Sequence, residues 1–437
     1  MPAIDVVVAD RYPSGQSSLS ERGSLVAVVM RAFANASPDQ RLLWLSPCRE
    51  EDLSSRTPVD PRLTVECAPV PRGVYDTYYL TVGAARIWTV LHGLAAELRE
   101  TSLTDDAWQQ FLTVNRSVAT LTASHAPIRS RITVHDYTLL PAVPEIRRLR
   151  PDVSIVYVHH TSWPHSDQAQ DLMTRNLLQH LVRMMAAADA VVVSAQQWRT
   201  NLQTWAPAAP VNVVAPGVDP EELKQQALAA ANGYWASTLG GDSNRPVLAA
   251  VGRADPSKNF DTLLKIWAGL VREGAPGTLC LHLTPTTRGA VAIYRACAES
   301  LYRWAAEANE YRSGSVRLFE RQSWGDALWL LQNADIVVAC SLADGWNLVA
   351  VEACALGTDA QRLILSSQVG AAELLGPIAC VVHDPSSEAE ITQAIRAAIE
   401  NRLRPNSMFR KQILLPSPTD WWDRIIELHH RFGRSQD

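Results

Sequence analysis

Arg253 and Lys258 stand five residues apart in VGRADPSKNF, either side of Pro256 and directly after an apolar run. A turn of that length lets both cations project from a strand end. There they suit a leaving group with two negative charges, such as a diphosphate; the alternative is a solvated surface pair. A second constellation lies in SLADGWNLVAVEACALG (341–357), where Asp344, Gly345 and Asn347 precede a helical pattern carrying Glu352. Free backbone N–H groups at such a helix start favour an anion, and Gly345 lets a ligand approach the main chain. Glu352 lies about one to two turns further in, where a carboxylate repels phosphate but accepts hydrogen bonds from a diol such as ribose. Asp344 either caps the helix or binds a sugar hydroxyl. The plainer alternative for this stretch is a cap followed by a structural glutamate. A third set, in VHDYTLLPAVPEI and VYVHHTSWPHSD, places His135, Asp136, Tyr137, His159 and His160 where two apolar runs stop.

These groups need a scaffold that ends strands side by side. Short apolar, β-branched runs at 4–9, 131–136, 153–160, 190–195 and 211–216 alternate with longer helical patterns, and a second series follows at 246–252, 278–285, 335–341, 362–367 and 379–384. Continuous apolarity marks strands buried on both faces, and helix-length spacing marks βαβ units with parallel sheets. The chain has 437 residues, enough for two domains of roughly 200 residues each. The reading is α/β, with two Rossmann-like domains facing across a cleft and ligands at the carboxyl ends of the strands. The expected division is 1–230 for the first domain and 231–416 for the second. The amphipathic segment SPTDWWDRIIELHHRF (417–432) reads as a helix starting at Thr419 or Asp420, with Trp422, Ile425, Ile426 and Leu428 available for burial.

Several classes fall away. With 47% hydrophobic and 19% charged residues and a net charge of −5, the chain offers no electrostatic case for nucleic acid or a membrane surface. No run approaches the ~18 apolar residues of a membrane span, and the first residues lack a signal-peptide pattern. The seven scattered cysteines never form C-x-x-C and read as reduced core residues, which suits a cytoplasmic location. Gly-x-Gly-x-x-Gly and the P-loop pattern are absent, and neither Asp-x-Asp nor a His/Cys cluster with metal spacing occurs, so no dedicated metal site or cofactor is expected.

Together the motifs resemble the trehalose-6-phosphate synthase family of retaining GT-B glycosyltransferases, over about Ile4 to Ile399. The family's HDYH appears as HDYT (135–138) and its HIPFP as HTSWP (160–164). RADPSKN (253–259) stands for R-L-D-Y-x-K-G, and DGWNLVAVE (344–352) for DGMNLVA-x-E. LILSSQVGAAELLG (363–376) is similar to VLSxFAGAAxEL. The resemblance implies a nucleotide-sugar donor of the UDP- or GDP-glucose type as substrate, with no metal. Its diphosphate would be held by Arg253, Lys258 and the main chain at Asn347 and Leu348, its ribose by Glu352, and its sugar by Asp344 and His160. Asp136 would help to orient that sugar, and Gly23 and Ser24 stand for the family's GGL loop. Trp324 either borders the base or packs at a helix start. A phosphorylated sugar or cyclitol acceptor would meet Arg11, Tyr79, Trp88, Tyr137 and Arg288. The resemblance also implies that the C-terminal helix returns to the first domain.

Departures from the family pattern are Asp10 for Asn, Ser24 for Gly, Thr138 for His and Ala343 for Arg. The turn GRADPSKN is closer to the pseudo-glycosyltransferase relative, validoxylamine phosphate synthase. A transferase with a non-glucose donor or acceptor is therefore the second expectation. A non-catalytic sugar-phosphate sensor is the third, and the retained cations and Glu352 argue against it.

Overall fold

The computed structural model describes residues 4–13, 25–54, 60–94, 103–239, 246–284, 286–320, 323–400 and 412–433. The chain forms two compact units, one of Met1–Pro216 with Pro418–Asp437, the other of Gly217–Ser417. The division thus falls earlier than residue 230, because the helix Pro220–Ala229 packs against the helices Trp324–Asn333 and Leu348–Leu356 of the second unit.

The first unit is built on β1 (Ile4–Val8), β2 (Arg41–Arg49), β3 (Leu63–Val70), β4 (Arg131–His135), β5 (Ser154–Val158), β6 (Ala190–Val193) and β7 (Val211–Val213). Every pairing is parallel, in the order β3-β2-β1-β4-β5-β6-β7. The second unit repeats the pattern with β8 (Val247–Arg253), β9 (Thr278–Thr284), β10 (Val316–Glu320), β11 (Ile336–Ala339), β12 (Arg362–Ser366) and β13 (Ala379–Val382), ordered β10-β9-β8-β11-β12-β13. Within each unit the first six strands run 3-2-1-4-5-6, the Rossmann order. Its reversal points lie between β1 and β4 and between β8 and β11, where loops part and ligands bind.

Burial explains the strand pattern. In the second unit Leu248, Ala250, Leu279, Leu281, Ile336, Val338 and Ile364 pack against Leu263, Leu264, Trp267 and Leu270 of the helix Phe260–Arg272 and against Leu301. Three strands, β2, β3 and β10, lie outside the apolar runs singled out in the sequence, although β2 carries a short one, Leu42 to Leu45, and is buried from Leu42 to Cys48. β3 and β10 are edge strands with partly exposed residues, so continuous apolarity is not required of them. β2 contains Pro47, which sits beyond the reach of β1: that pairing ends at Leu45, while Pro47 faces only Ala68 of β3. A proline is tolerated where one side of the strand has no ladder to complete.

The C-terminal helix, Pro418–Phe432, belongs to the first unit and buries Trp421, Trp422, Ile425, Leu428 and His429. His429 is fixed through both ring nitrogens, Nδ1 to the Ser154 hydroxyl at 2.9 Å and Nε2 to the Thr133 hydroxyl at 3.1 Å. Arg131 donates to His430 Nε2 at 3.1 Å. Polar side chains on β4 and β5 therefore specify where this helix docks. Among the described residues no helix is long and apolar enough to cross a membrane.

Candidate functional site

The second unit concentrates its polar groups at the β8/β11 reversal. After β8 the chain makes a short turn, Pro256–Lys258, capped by Asp255, whose carboxylate accepts from the Ser257 N–H at 3.1 Å and hydroxyl at 2.9 Å. Asp255 is fully buried and also receives Arg253 Nη2 at 3.1 Å, while the Arg253 side chain remains 45% exposed. The cation is thus aimed by a buried acid yet open to a ligand. Asn259 follows in the left-handed conformation (φ 60°, ψ 27°), at the family's glycine position. Asparagine tolerates this conformation. Here its amide also donates to Cys340 O at 3.3 Å and Pro385 O at 2.8 Å, joining the turn to the neighbouring loops.

The loop after β11 is stitched to that turn. Leu342 N donates to Ser257 O at 2.7 Å, Lys258 Nζ forms an ion pair with Asp344, and Asn347 Nδ2 donates to Asp344 Oδ2 at 3.0 Å. Asn347 caps the helix Leu348–Leu356, its Oδ1 accepting from Ala350 N at 3.0 Å. The segment after β12 closes the other side, with Asp344 N donating to Gln368 O at 3.0 Å and Gly370 N to Asp344 O at 3.2 Å. Arg253, Lys258, Asp344, Asn347 and Leu348 are thereby gathered around one reversal point. Glu352 lies within the same helix, 5% exposed, and accepts from Trp324 Nε1 at 3.0 Å. Trp324 opens the helix Trp324–Asn333, as the second of the two expectations for it had it.

Arg288 follows β9 in this same unit. It is buried, and its Nη1 donates to the Tyr294 hydroxyl at 2.8 Å. Burial, aided by the Asp255 charge, holds the Tyr294 phenol above its ordinary range, against the pull of Arg288 and Arg253.

The first unit places its groups at the β1/β4 reversal. Arg11, just past β1, donates from Nη2 to the Tyr79 hydroxyl at 3.0 Å, and its own carbonyl accepts from Trp44 Nε1 at 2.8 Å. Tyr79 lies in the first turn and Trp88 at the end of a π-helical segment, Thr77–Trp88. In an α-helix, positions nine apart point about half a turn away from each other. With i→i+5 bonding and about 4.4 residues per turn, nine residues make about two turns and return to the same side. The π register is the structural reason for that spacing. Trp88 is buried and stacks on His92, ring centroids 4.1 Å apart. Gly83, inside the segment, is required by close packing: a Cβ there would meet Tyr78 O at 3.1 Å and Thr138 Cγ2 at 3.2 Å. Thr138, at the family's second histidine, is what fills that space.

Asp10, the substitution for the family's asparagine, accepts from the buried Tyr78 hydroxyl at 2.9 Å. Tyr75 stacks on Tyr79 at 6.2 Å, and the Arg49 guanidinium lies 5.2 Å from the Tyr75 ring while donating to Asp76 at 2.6 Å. Arg49, Tyr75 and Tyr78 were missed by the sequence reading. The tyrosine run YDTYY was the available signal, but its register depends on the π-helix.

Asp136 adopts φ 68°, ψ 165°, a region nearly confined to glycine that costs about 1–3 kcal/mol for other residues. It is held there by its N–H on Val158 O (2.8 Å) and its carboxylate on Tyr137 N (2.9 Å). Tyr137 is almost fully buried beneath the strand ends. The two adjacent histidines separate into different roles. His159 donates from Nε2 to Ser162 O at 3.2 Å and pairs through Nδ1 with the Tyr157 hydroxyl at 3.1 Å, so it is a core residue. His160 instead pairs through Nε2 with His135 Nδ1 at 3.0 Å, and Trp421 of the C-terminal helix lies 6.3 Å from both rings. Burial depresses both members of this pair, His160 to about 3, so each ring is neutral at pH 7 and one donates to the other. Gly23 and Ser24 lie outside the described residues. Among the described residues no group of three or more His, Cys, Asp or Glu side chains is arranged to hold a metal ion.

Burial likewise lowers His159 to about 4 and His429 to about 3. Below pH ~6.5 the unfolded chain protonates both residues while the folded chain does not. The stability they confer is therefore complete above that pH and is lost as pH falls toward the folded values. Denaturant titrations should show a decrease of up to about 4 kcal/mol between pH 7 and pH 5 from these two groups. Equal stability at the two pH values would refute neutral burial.

The family model for glycosyltransferase family 20 matches residues 20–202 and 174–428. Trehalose-6-phosphate synthase of Mycolicibacterium vanbaalenii is 25% identical over 390 residues, covering 79% of this chain and 77% of the relative. Validamine 7-phosphate valienyltransferase of Streptomyces hygroscopicus subsp. jinggangensis is 27% identical over 290 residues, covering 61% and 57%. The fold is similar to that of the UDP-forming α,α-trehalose-phosphate synthase of Burkholderia xenovorans solved with glucose-6-phosphate. That comparison gives a TM-score of 0.81 at 18% identity, over 98% of this chain and 100% of that one. With the family model matching along most of its length, the chain belongs to glycosyltransferase family 20.

Proposed function

We propose that the protein transfers a sugar, with retention and without a metal, from a nucleotide sugar of the UDP- or GDP-glucose type to a phosphorylated sugar, giving a disaccharide phosphate of the trehalose 6-phosphate kind. The observation that carries this is the joined loop pair at the β8/β11 reversal. There Arg253, Lys258 and a capped helix start converge, with Glu352 behind them. Two cations and free N–H groups suit a diphosphate leaving group, and the buried carboxylate suits the ribose diol. The relatives named above include a UDP-forming synthase solved with glucose-6-phosphate and a valienyltransferase of validamine 7-phosphate, which supports a nucleotide-linked donor and a phosphorylated acceptor.

In the reaction the anomeric carbon–oxygen bond to the diphosphate breaks and the acceptor oxygen bonds on the same face. The acceptor's proton passes to the departing phosphate oxygen, so no protein nucleophile is needed. In the second unit Arg253 and Lys258 offset the growing charge, and Asp344 orients the transferred sugar. In the first unit His160 is the group offered to the sugar, and Arg11, Tyr79, Trp88 and Tyr137 those offered to the acceptor. Such substrates are cytoplasmic metabolites, and the reading places the protein with them.

The test is a product assay with UDP-glucose and GDP-glucose, each with glucose 6-phosphate, read by mass spectrometry and by the anomeric NMR signals of the product. An α-configured disaccharide phosphate is expected. A cyclitol or other non-glucose acceptor is the second reading, favoured by Asp10 on the Tyr78 hydroxyl beside Arg11. Turnover only with an aminocyclitol phosphate would select it. Nucleotide binding without turnover on any donor would overturn both.

A further inference from the structure

Glu352 is a long, flexible side chain almost wholly removed from water, and a carboxylate so placed is useful only if its lone pairs are aimed. The structure supplies the aim from a different element. Trp324 sits 28 positions earlier in the chain, on a helix start whose position is independently fixed. Ser323 caps it by accepting from Asp326 N at 3.3 Å, and its hydroxyl donates to Asp326 Oδ2 at 2.5 Å. The other Asp326 oxygen accepts from Tyr234 N at 2.9 Å. The indole N–H then reaches Glu352 Oε1 at 3.0 Å. An indole offers one donor and no acceptor, so it orients a carboxylate without competing for the hydroxyls that the carboxylate must bind.

We propose that Trp324 is the positioning residue for the ribose-binding carboxylate: its indole N–H holds one oxygen of Glu352 so that the remaining lone pairs meet the ribose hydroxyls. This rests on the reading of Glu352 given above. It makes the Trp324–Glu352 pair a determinant of selectivity for ribonucleotide over deoxyribonucleotide donors, since a misaligned carboxylate loses the bidentate geometry that a diol rewards.

The experiment measures Kd by calorimetry for UDP and 2′-deoxy-UDP, with GDP and 2′-deoxy-GDP in their place if the product assay returns a guanosine donor. It compares wild type, Trp324→Phe and Glu352→Gln. Trp324→Phe keeps a ring and removes only the N–H. Its Kd for the ribonucleotide should rise about tenfold, the worth of one hydrogen bond to a charged group, and the ribo/deoxy ratio should shrink toward unity. Donor KM should rise by more than kcat falls. A wild-type ratio in Trp324→Phe, with a reduced ratio in Glu352→Gln, overturns the role of Trp324 and leaves the reading of Glu352 intact. A wild-type ratio in Glu352→Gln overturns both. If Trp324→Phe does not fold, the indole proton spectrum decides instead: one tryptophan N–H resonance should move upfield in Glu352→Gln, and fourteen unmoved resonances refute the bond.

Discussion

Replacing Lys258 by alanine is expected to lower kcat/KM by about three orders of magnitude, and Arg253→Ala by a similar factor, with the fold retained. A preorganised donor facing charge that develops in the transition state is worth about 3–4 kcal/mol, and a full cation at a transferring phosphate is worth at least that. The two side chains act from one short turn but are held differently. Lys258 is mostly buried against Asp344, whereas Arg253 is half exposed and bonded to the buried Asp255. Loss of Lys258 also removes the ion pair of Asp344 and leaves its carboxylate the Asn347 amide, so the variant should bind the donor sugar as well as the diphosphate less well. Loss of Arg253 leaves Asp255 its two bonds from Ser257. Single-turnover rates with saturating donor separate the two effects. Full transfer activity in both variants would remove the basis for a diphosphate at this reversal point.

Trp421→Ala should destabilise the first unit by about 3–5 kcal/mol, the ordinary cost of deleting a buried tryptophan that its neighbours cannot replace. The ring is 1% exposed and lies against both His135 and His160, which sit at the carboxyl edge of the sheet. Activity should therefore fall even where the variant is still folded, because His160 loses the wall that keeps its ring against His135. Trp421→Phe should recover most of both properties. Denaturation midpoints and transfer rates at a temperature well below the transition provide the check. An alanine variant of wild-type stability and activity would show that the C-terminal helix has no part in the site.

Local pattern carried much of this protein into view. The ten continuous apolar runs are strands, because a strand covered on both faces must be apolar throughout. The polar residues that interrupt them, Arg253 and Lys258, Asp344 to Glu352, and His135 to Tyr137, do lie at strand ends. The other strands left a weaker trace: β2 shows four apolar residues, Leu42 to Leu45, before Ser46 and Pro47 break the run, and the partly exposed edge strands β3 and β10 interleave polar residues. The boundary between the units is likewise not set by local pattern, since the helix Pro220–Ala229 declares its unit only through what it packs against.

Other decisions belong wholly to tertiary structure. The motif match selects His160 over His159, but what each ring bonds to depends on the face to which the strand end turns it. It shows Tyr79 and Trp88 nine apart, but a π register is what returns them to one side. Trp324 and Glu352, Lys258 and Asp344, Asn259 and Pro385, and Trp421 and His160 are each separated by between 28 and 261 positions along the chain. Crossover connections in parallel sheets bring such residues together, and no periodicity in the sequence records which helix start will face which carboxylate. Residue type and spacing determined what chemistry the chain carries and at which strand ends. Strand order and packing decided which groups aim, neutralise and support one another, because a hydrogen bond depends on position in space and hydrophobic patterning only on position along the chain.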